Sequence, residues 1–137
     1  MQPTSIRPYR PGDGAALRTL WTAMGFRLIS DDDPGLARFA ARNPGLFLVA
    51  ETDGAIIASA MAAWDGRRGW LYHVATVPER RGEGIASELV RRLEAGLREV
   101  GCARVVVLVE ETNDEALGFW ERRGYERRPT RQLGKSL

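Results

Sequence analysis

The apolar patterning of these 137 residues predicts an α/β (α+β) protein built on a mixed central sheet. Three observations point there. Apolar residues recur at helical spacing in the first third. Alternating runs separated by Asp-Gly turns then read as an antiparallel meander. Residues 70–109 finally give strand, helix, strand, a βαβ unit whose strands are parallel and whose crossover is right-handed.

Residues 4–7 read as a short edge strand. Asp13 offers an N-cap to a helix carrying Leu17, Leu20, Trp21 and Met24 on one face. Asp31-Asp32-Asp33-Pro34 reads as a loop ending in an Asp cap with Pro at the first helical position. That second helix stops at Asn43-Pro44-Gly45. Strands are predicted over residues 46–51, 56–64 and 70–77, with hairpin signals at Asp53-Gly54 and Asp65-Gly66. From Gly82, the set Ile85, Leu89, Leu93, Leu97 and Val100 marks one face of a long helix that Gly101 closes. Residues 104–109 form a β-branched run apolar on both faces, the signature of a buried strand. Asn113 or Asp114 caps a short helix ended by Gly124, and residues 125–133 supply one or two closing strands. No repeat or linker interrupts the pattern, so residues 1–137 are expected to be a single domain.

Bulk composition narrows the function classes. Net charge is +2, with eight basic and eight acidic side chains before Arg80 and twelve and ten from Arg80 onward. There is no basic tail or block, which disfavours nucleic-acid binding. The lone Cys102 excludes an intrachain disulfide, and one Cys with one His makes a Cys/His metal site a poor expectation. No apolar run approaches the roughly 20 residues needed to span a bilayer, and the start lacks a secretory h-region. A cytoplasmic enzyme or binding domain, with no metal and no membrane partner, is the default.

The most informative segment is Arg81-Gly82-Glu83-Gly84-Ile85-Ala86, which follows a strand and opens a helix. Two glycines let the backbone approach a ligand with no Cβ in the way. The first helical amides lack intrahelical partners and sit at the positive end of the helix dipole, so main chain alone makes an anion site. Arg80 and Arg81 add charge beside it. The competing reading is a tight turn with no ligand.

Three motifs in order carry a resemblance. Residues 74–79, Val-Ala-Thr-Val-Pro-Glu, lead into Arg81-x-x-Gly84-x-Ala86; Glu111-Thr112-Asn113 follows the next strand; Phe119-Trp120-Glu121-Arg122-Arg123-Gly124-Tyr125 closes the pattern. Together they resemble the GNAT superfamily of acyl-CoA-dependent N-acetyltransferases over nearly the whole chain. Residues 65–69 and 117–126 are most similar to small bacterial acetyltransferases of the YpeA type. The resemblance implies the GNAT fold: strand, two helices, three strands, helix, strand, helix and one or two last strands, with the fourth and fifth strands parallel and splayed.

It also implies acetyl-CoA as the acyl donor, with coenzyme A held where those strands diverge. Val74, Ala75, Thr76 and Val77 match the positions that pair with the pantetheine arm, helped by a β-bulge in that strand. The diphosphate would lie on the amides of Gly82, Glu83, Gly84, Ile85, Ala86 and Ser87, beside Arg81. Asn113 matches an Asn that holds the arm and also reads as a helix cap. Trp120 reads equally as a cofactor-lining ring and as core. Relatives often pair as homodimers, although no interface is marked here.

The catalytic pattern departs from the family. The expected reaction is attack of a primary amine on the thioester, and an ammonium of pKa roughly 10.4 must first lose its proton. Where one family branch has a Glu base this chain has Leu108, and where much of the superfamily has a Tyr acid it has Trp120. Indole donates a hydrogen bond but no usable proton. Tyr72 and Glu110 are the remaining catalytic candidates. Glu110 shares strand parity with Leu108, and Tyr72 shares it with Trp70; His73, by alternation, should point away from those two. Asp31, Asp32 and Asp33 are either an amine-attracting patch in the acceptor loop or a plain polar loop. The acceptor stays open among a small amine, an amino acid and a protein N-terminus. The alternative reading is an acyl-CoA-binding sensor or interaction domain without turnover.

Overall fold

The computed structural model describes residues 3–137, which divide into two compact units, one ending at Val107 and the other Leu108–Leu137. The first holds β1 (Ser5–Pro8), α1 (Gly14–Ala23), α2 (Asp33–Arg42), β2 (Phe47–Thr52), β3 (Ala55–Trp64), β4 (Gly69–Thr76), α3 (Ile85–Glu99) and β5 (Val105–Val107). Its sheet runs β1-β2-β3-β4-β5 in space, antiparallel except for the parallel β4–β5 pair. The β2–β3 hairpin turns through Asp53 and Gly54, both at positive φ (51° and 79°), the primed geometry that a twisted hairpin favours.

One face packs on α1 and α2. Leu17, Leu20 and Trp21 of α1 and Leu36 of α2 meet Phe47, Val49, Met61 and Ala75 of the sheet, all buried. Each such side chain removed from water contributes about 1.5–3 kcal/mol, so this cluster is what anchors the two short helices. The opposite face takes α3 through Leu89, Val90, Leu93 and Leu97. Three alternate residues of β3 on that side are alanine: Ala58, Ala60 and Ala62 are fully buried. These small side chains let the helix sit close to the strand. Gly69 and Gly96 mark the same tightness, since a Cβ on either would press within 2.9 Å of a leucine side chain.

Asn43 ties α2 to the sheet, its Oδ1 accepting from the Trp64 amide at 2.9 Å. Asp32, not Asp33, caps α2, accepting from Gly35 N at 2.9 Å. Asp13 precedes α1 but does not cap it with its side chain. Its carboxylate instead takes both terminal nitrogens of Arg7 at 2.9 Å and the Arg10 amide. A bidentate guanidinium outcompetes a single amide.

The second unit contains α4 (Asp114–Arg122), begun by Asn113, whose Oδ1 accepts from Ala116 N at 3.1 Å, and closed by Gly124 at φ 90°. The expected closing strands do not form: residues 125–137 carry no strand. Arg127, Arg128, Pro129 and Arg131 break the alternation a strand needs, and Leu133 lies fully in water. The fifth strand is likewise shorter than predicted, three residues instead of six.

Alternation fails at one place in β4. Ser59 faces Ala75 and Met61 faces Tyr72, so His73 and Val74 stand opposite Ala60 alone. This is a β-bulge. His73 adopts a left-handed backbone, φ 48°. The bulge turns His73 onto the α1–α2 face, where its ring lies 4.4 Å from Trp21 and 5.2 Å from Phe26. Tyr72 is on that face too, edge-on to Phe39 at 6.1 Å. The expectation that His73 points away from Tyr72 is therefore corrected.

Candidate functional site

Pairing between β4 and β5 stops at Leu71–Val107, one residue before the bulge. From Tyr72 to Thr76 the β5 side of β4 has no strand hydrogen-bonded to it among the described residues. An unpaired strand edge offers amides and carbonyls to an extended ligand. Val74, Ala75 and Thr76 lie on this stretch. The hydroxyl of Thr76 is buried and has no hydrogen-bond partner. The Val77 amide donates to Ile57 O at 2.9 Å and its carbonyl accepts from Arg80 N at 3.1 Å.

The chain then makes a short 3-10 turn, Pro78–Arg80, and enters α3 through Gly82 and Gly84, at φ 82° and 80°. Only glycine takes this conformation without strain. A Cβ on either glycine would meet nothing within 4 Å, so both main-chain surfaces open outward. No side chain caps α3 at Gly84, and its first intrahelical bond is Glu88 N to Gly84 O, 3.1 Å. The amides of Ile85 and Ala86 precede that bond. The result is a bare cradle of main-chain donors at the positive end of a 15-residue helix.

The two arginines do different work. Arg80 is spent on the scaffold: its Nε reaches Glu83 at 2.8 Å, and its terminal nitrogens donate to Thr52 Oγ1 at 2.9 Å and Thr4 Oγ1 at 2.8 Å. It pins the glycine turn to β2 and to the start of β1. Its hydrogen bond to Glu83 also holds that carboxyl below the usual range and pairs its negative charge. Arg81 lies exposed, with a terminal nitrogen 3.0 Å from the sulfur of Met24 at the end of α1. Inside α3, hydrogen bonds from Arg91 and Arg92 pull Glu88 down to about 2.

On the α1–α2 face, Tyr72 is partly exposed at 41%. Burial, with the charge of Asp65, raises its phenol above the ordinary tyrosine value. The phenol is therefore protonated at neutral pH. Trp70 gives its indole N–H to Asp65 Oδ2 at 3.1 Å. The three aspartates are all engaged: Asp31 with His73 Nε2 at 2.9 Å, Asp32 with the α2 cap, Asp33 with Arg18 at 2.8 Å. They border an open depression of about 540 Å3, with Arg18, Leu28 and Pro34. The polar-loop reading of this run matches these contacts.

In the second unit, Trp120 is buried, packed edge-to-face with Phe119 at 5.0 Å and Tyr125 at 4.9 Å. Glu110 is exposed and lies outside any strand, so no strand parity relates it to Leu108; its carbonyl accepts from Asn113 N at 2.9 Å. Sequence patterning missed two contributors to the first unit's site. Ser59 looks like one more small residue in an alanine-rich strand. Asp31 looks like one of three equivalent acids.

A mixed sheet whose parallel pair parts just before a bulge, next to a glycine-lined helix start, is the architecture of an acetyltransferase. Residues 15–125 match the Acetyltransferase (GNAT) family, and the chain belongs to it. A curated acetyltransferase of Pectobacterium atrosepticum is 39% identical over 133 residues, 96% of this chain and 94% of that protein. An acetyltransferase structure from Streptococcus agalactiae superposes with TM-score 0.80 at 19% identity, over all of this chain and 93% of the other. A predicted acetyltransferase of Clostridium acetobutylicum, solved with acetyl-CoA, gives TM-score 0.75 at 19% identity, covering 97% and 96%. No helix among the described residues is long and apolar enough to cross a membrane.

Proposed function

We propose that this protein is an N-acetyltransferase that carries an acetyl group from acetyl-CoA to a primary amine. The single observation behind the reading is the cradle at Gly82 and Gly84, where a Cβ would occupy otherwise empty space above uncapped helix amides. That geometry suits a diphosphate. The open β4 edge at Val74–Thr76 suits an amide-bearing arm, and the unpartnered Thr76 hydroxyl offers a further polar contact. When bound, acetyl-CoA supplies an activated acyl group whose thiol leaving group has a pKa near roughly 8.5, so its departure needs no strong acid.

The chain's part is to hold the donor and manage the amine's proton. Gly82 to Ser87 bind through main chain, with Arg81 adding charge. Tyr72, a neutral phenol whose ionisation burial moves further up, passes a proton through water; Glu110 is the second candidate. Asn113 and Trp120 are assigned to the cofactor by family resemblance. Calorimetry with acetyl-CoA, followed by thiol release across a panel of primary amines, tests the reading. Saturable binding with release for at least one amine supports it. Binding with no release for any amine favours the sensor alternative, and no binding by folded protein overturns both.

A further inference from the structure

The imidazole of His73 is held from three directions by α1 and the segment that leaves it. Trp21 lies against it at 4.4 Å, Phe26 stacks on it at 5.2 Å with rings 11° from parallel, and Asp31 Oδ2 bonds Nε2 at 2.9 Å. Gly25, at φ 79°, reverses the chain so that Phe26 N can bond Trp21 O at 3.0 Å, which brings Phe26 over the ring. Beyond Phe26 the loop exposes Leu28 and Ile29, at 40% and 65%, so apolar burial does little to hold it down. Asp31, by contrast, is buried, only 9% exposed. The same His73 carries the left-handed backbone of the bulge, and its carbonyl accepts from the buried Ser59 hydroxyl at 2.7 Å.

We propose that His73 and Asp31 are positioning residues: their hydrogen bond latches the α1–α2 loop onto the bulge, so that loop order and the open β4 edge are set together. The proposal rests on the acetyl-CoA reading only for its second readout. With the latch broken, the loop lifts and the bulge loses the packing that holds a non-glycine residue at positive φ. The edge that would pair with an extended ligand then loses its fixed geometry.

Arg27 is exposed and is the only tryptic site in the loop between Met24 and Asp32. The test therefore measures trypsin cleavage after Arg27 in the full chain, beside acetyl-CoA affinity by calorimetry. Asp31→Ala is expected to speed cleavage at least tenfold and to weaken acetyl-CoA binding several-fold. Asp31→Asn should restore both, because an amide can serve either imidazole tautomer, accepting through oxygen or donating through nitrogen. His73→Asn, which tolerates a left-handed backbone but is too short to reach Asp31, should behave like Asp31→Ala. Leu36→Ala, a core truncation, controls for general destabilisation and should leave cleavage at Arg27 unchanged below its melting temperature. Equal cleavage in wild type and Asp31→Ala overturns the latch. Faster cleavage with unchanged affinity overturns the coupling. Failure of the wild type to bind acetyl-CoA instead removes the cofactor reading and leaves the cleavage comparison to judge the latch alone.

Discussion

The indole N–H of Trp21 donates to Ser59 Oγ at 2.8 Å, joining two fully buried side chains 38 residues apart. The Ser59 hydroxyl in turn donates a hydrogen bond to the carbonyl of His73. One hydroxyl therefore satisfies a helix side chain and the backbone of the β4 bulge at once. Ser59→Ala leaves both groups unpaired in the core. Each costs about 1–3 kcal/mol, so a loss of about 2–6 kcal/mol in urea unfolding is expected. The double variant Trp21→Phe with Ser59→Ala should lose less than the sum of the singles, because it removes a shared interaction.

At Gly84, conformation and ligand space can be separated by two substitutions. Gly84→Ala imposes a strain of about 1–2 kcal/mol at φ 80° and sets a methyl where the anion would rest. Gly84→Asp adds a negative charge there. Thermal unfolding should fall similarly in the two. Acetyl-CoA affinity should drop for Ala and vanish for Asp. Equal affinities would show that the turn is structural only.

Arg80 and Arg81 should differ in their response to salt. Arg80 anchors the turn to Thr52 and Thr4, so Arg80→Ala is expected to lower the melting temperature and weaken acetyl-CoA several-fold with little change in salt dependence. Arg81→Ala should leave the melting temperature near wild type and flatten the fall of affinity with ionic strength, since an exposed cation acts through screened attraction. Calorimetry across a salt series distinguishes them.

Stability should depend on acid through Asp13. Burial pulls its carboxyl up, but the Arg7 guanidinium and the Arg10 amide together outweigh burial and leave it below its ordinary 3.8. A carboxyl lowered on folding stabilises at every pH above its unfolded value, and that contribution is lost as pH falls through the lower folded value. Asp13→Asn should therefore be destabilised by about 2 kcal/mol at pH 7, with the gap to wild type closing below about pH 4. Glu51, 3.2 Å from Arg7, keeps the guanidinium from being left alone. Urea midpoints at pH 7, 5, 3 and 2.5 give the comparison.

The raised phenol of Tyr72 bears on the pH–rate profile. Its ionisation lies above 10, so any limb near neutrality belongs to the amine or to another group. Tyr72→Phe should cut kcat by about 10²-fold if the phenol relays the proton, and leave acetyl-CoA affinity unchanged. Glu110→Gln measured alongside shows which of the two matters. A Tyr72→Phe enzyme with wild-type kcat would remove Tyr72 from the reaction.

Much of the fold was legible in linear order. Helical spacing at Leu17, Leu20 and Trp21, the Asp53-Gly54 turn and the Ile85–Leu97 stripe each report a local rule, and the strands and helices appear where those rules put them. The glycine cradle was legible for the same reason: positive φ at Gly82 and Gly84 is a local demand that composition reveals. Illegible were events in which a distant partner outbids a local one. Asp13 abandons its cap for Arg7. Arg80, which reads as an anion-binding charge, is consumed by Thr4, Thr52 and Glu83. Residues 125–137 carry too many charges for the apolar face a strand would need.

Chain order, the parallel crossover and the glycine turn that opens α3 were thus determined by the sequence itself, since each follows from periodicity or from the stereochemistry of a few neighbouring residues. The side of the sheet on which His73 sits, and its meeting with Asp31, were decided by the tertiary structure. A single unpaired residue opposite Ala60 shifts strand parity, and only the packing of β3 against β4 determines where that residue is inserted.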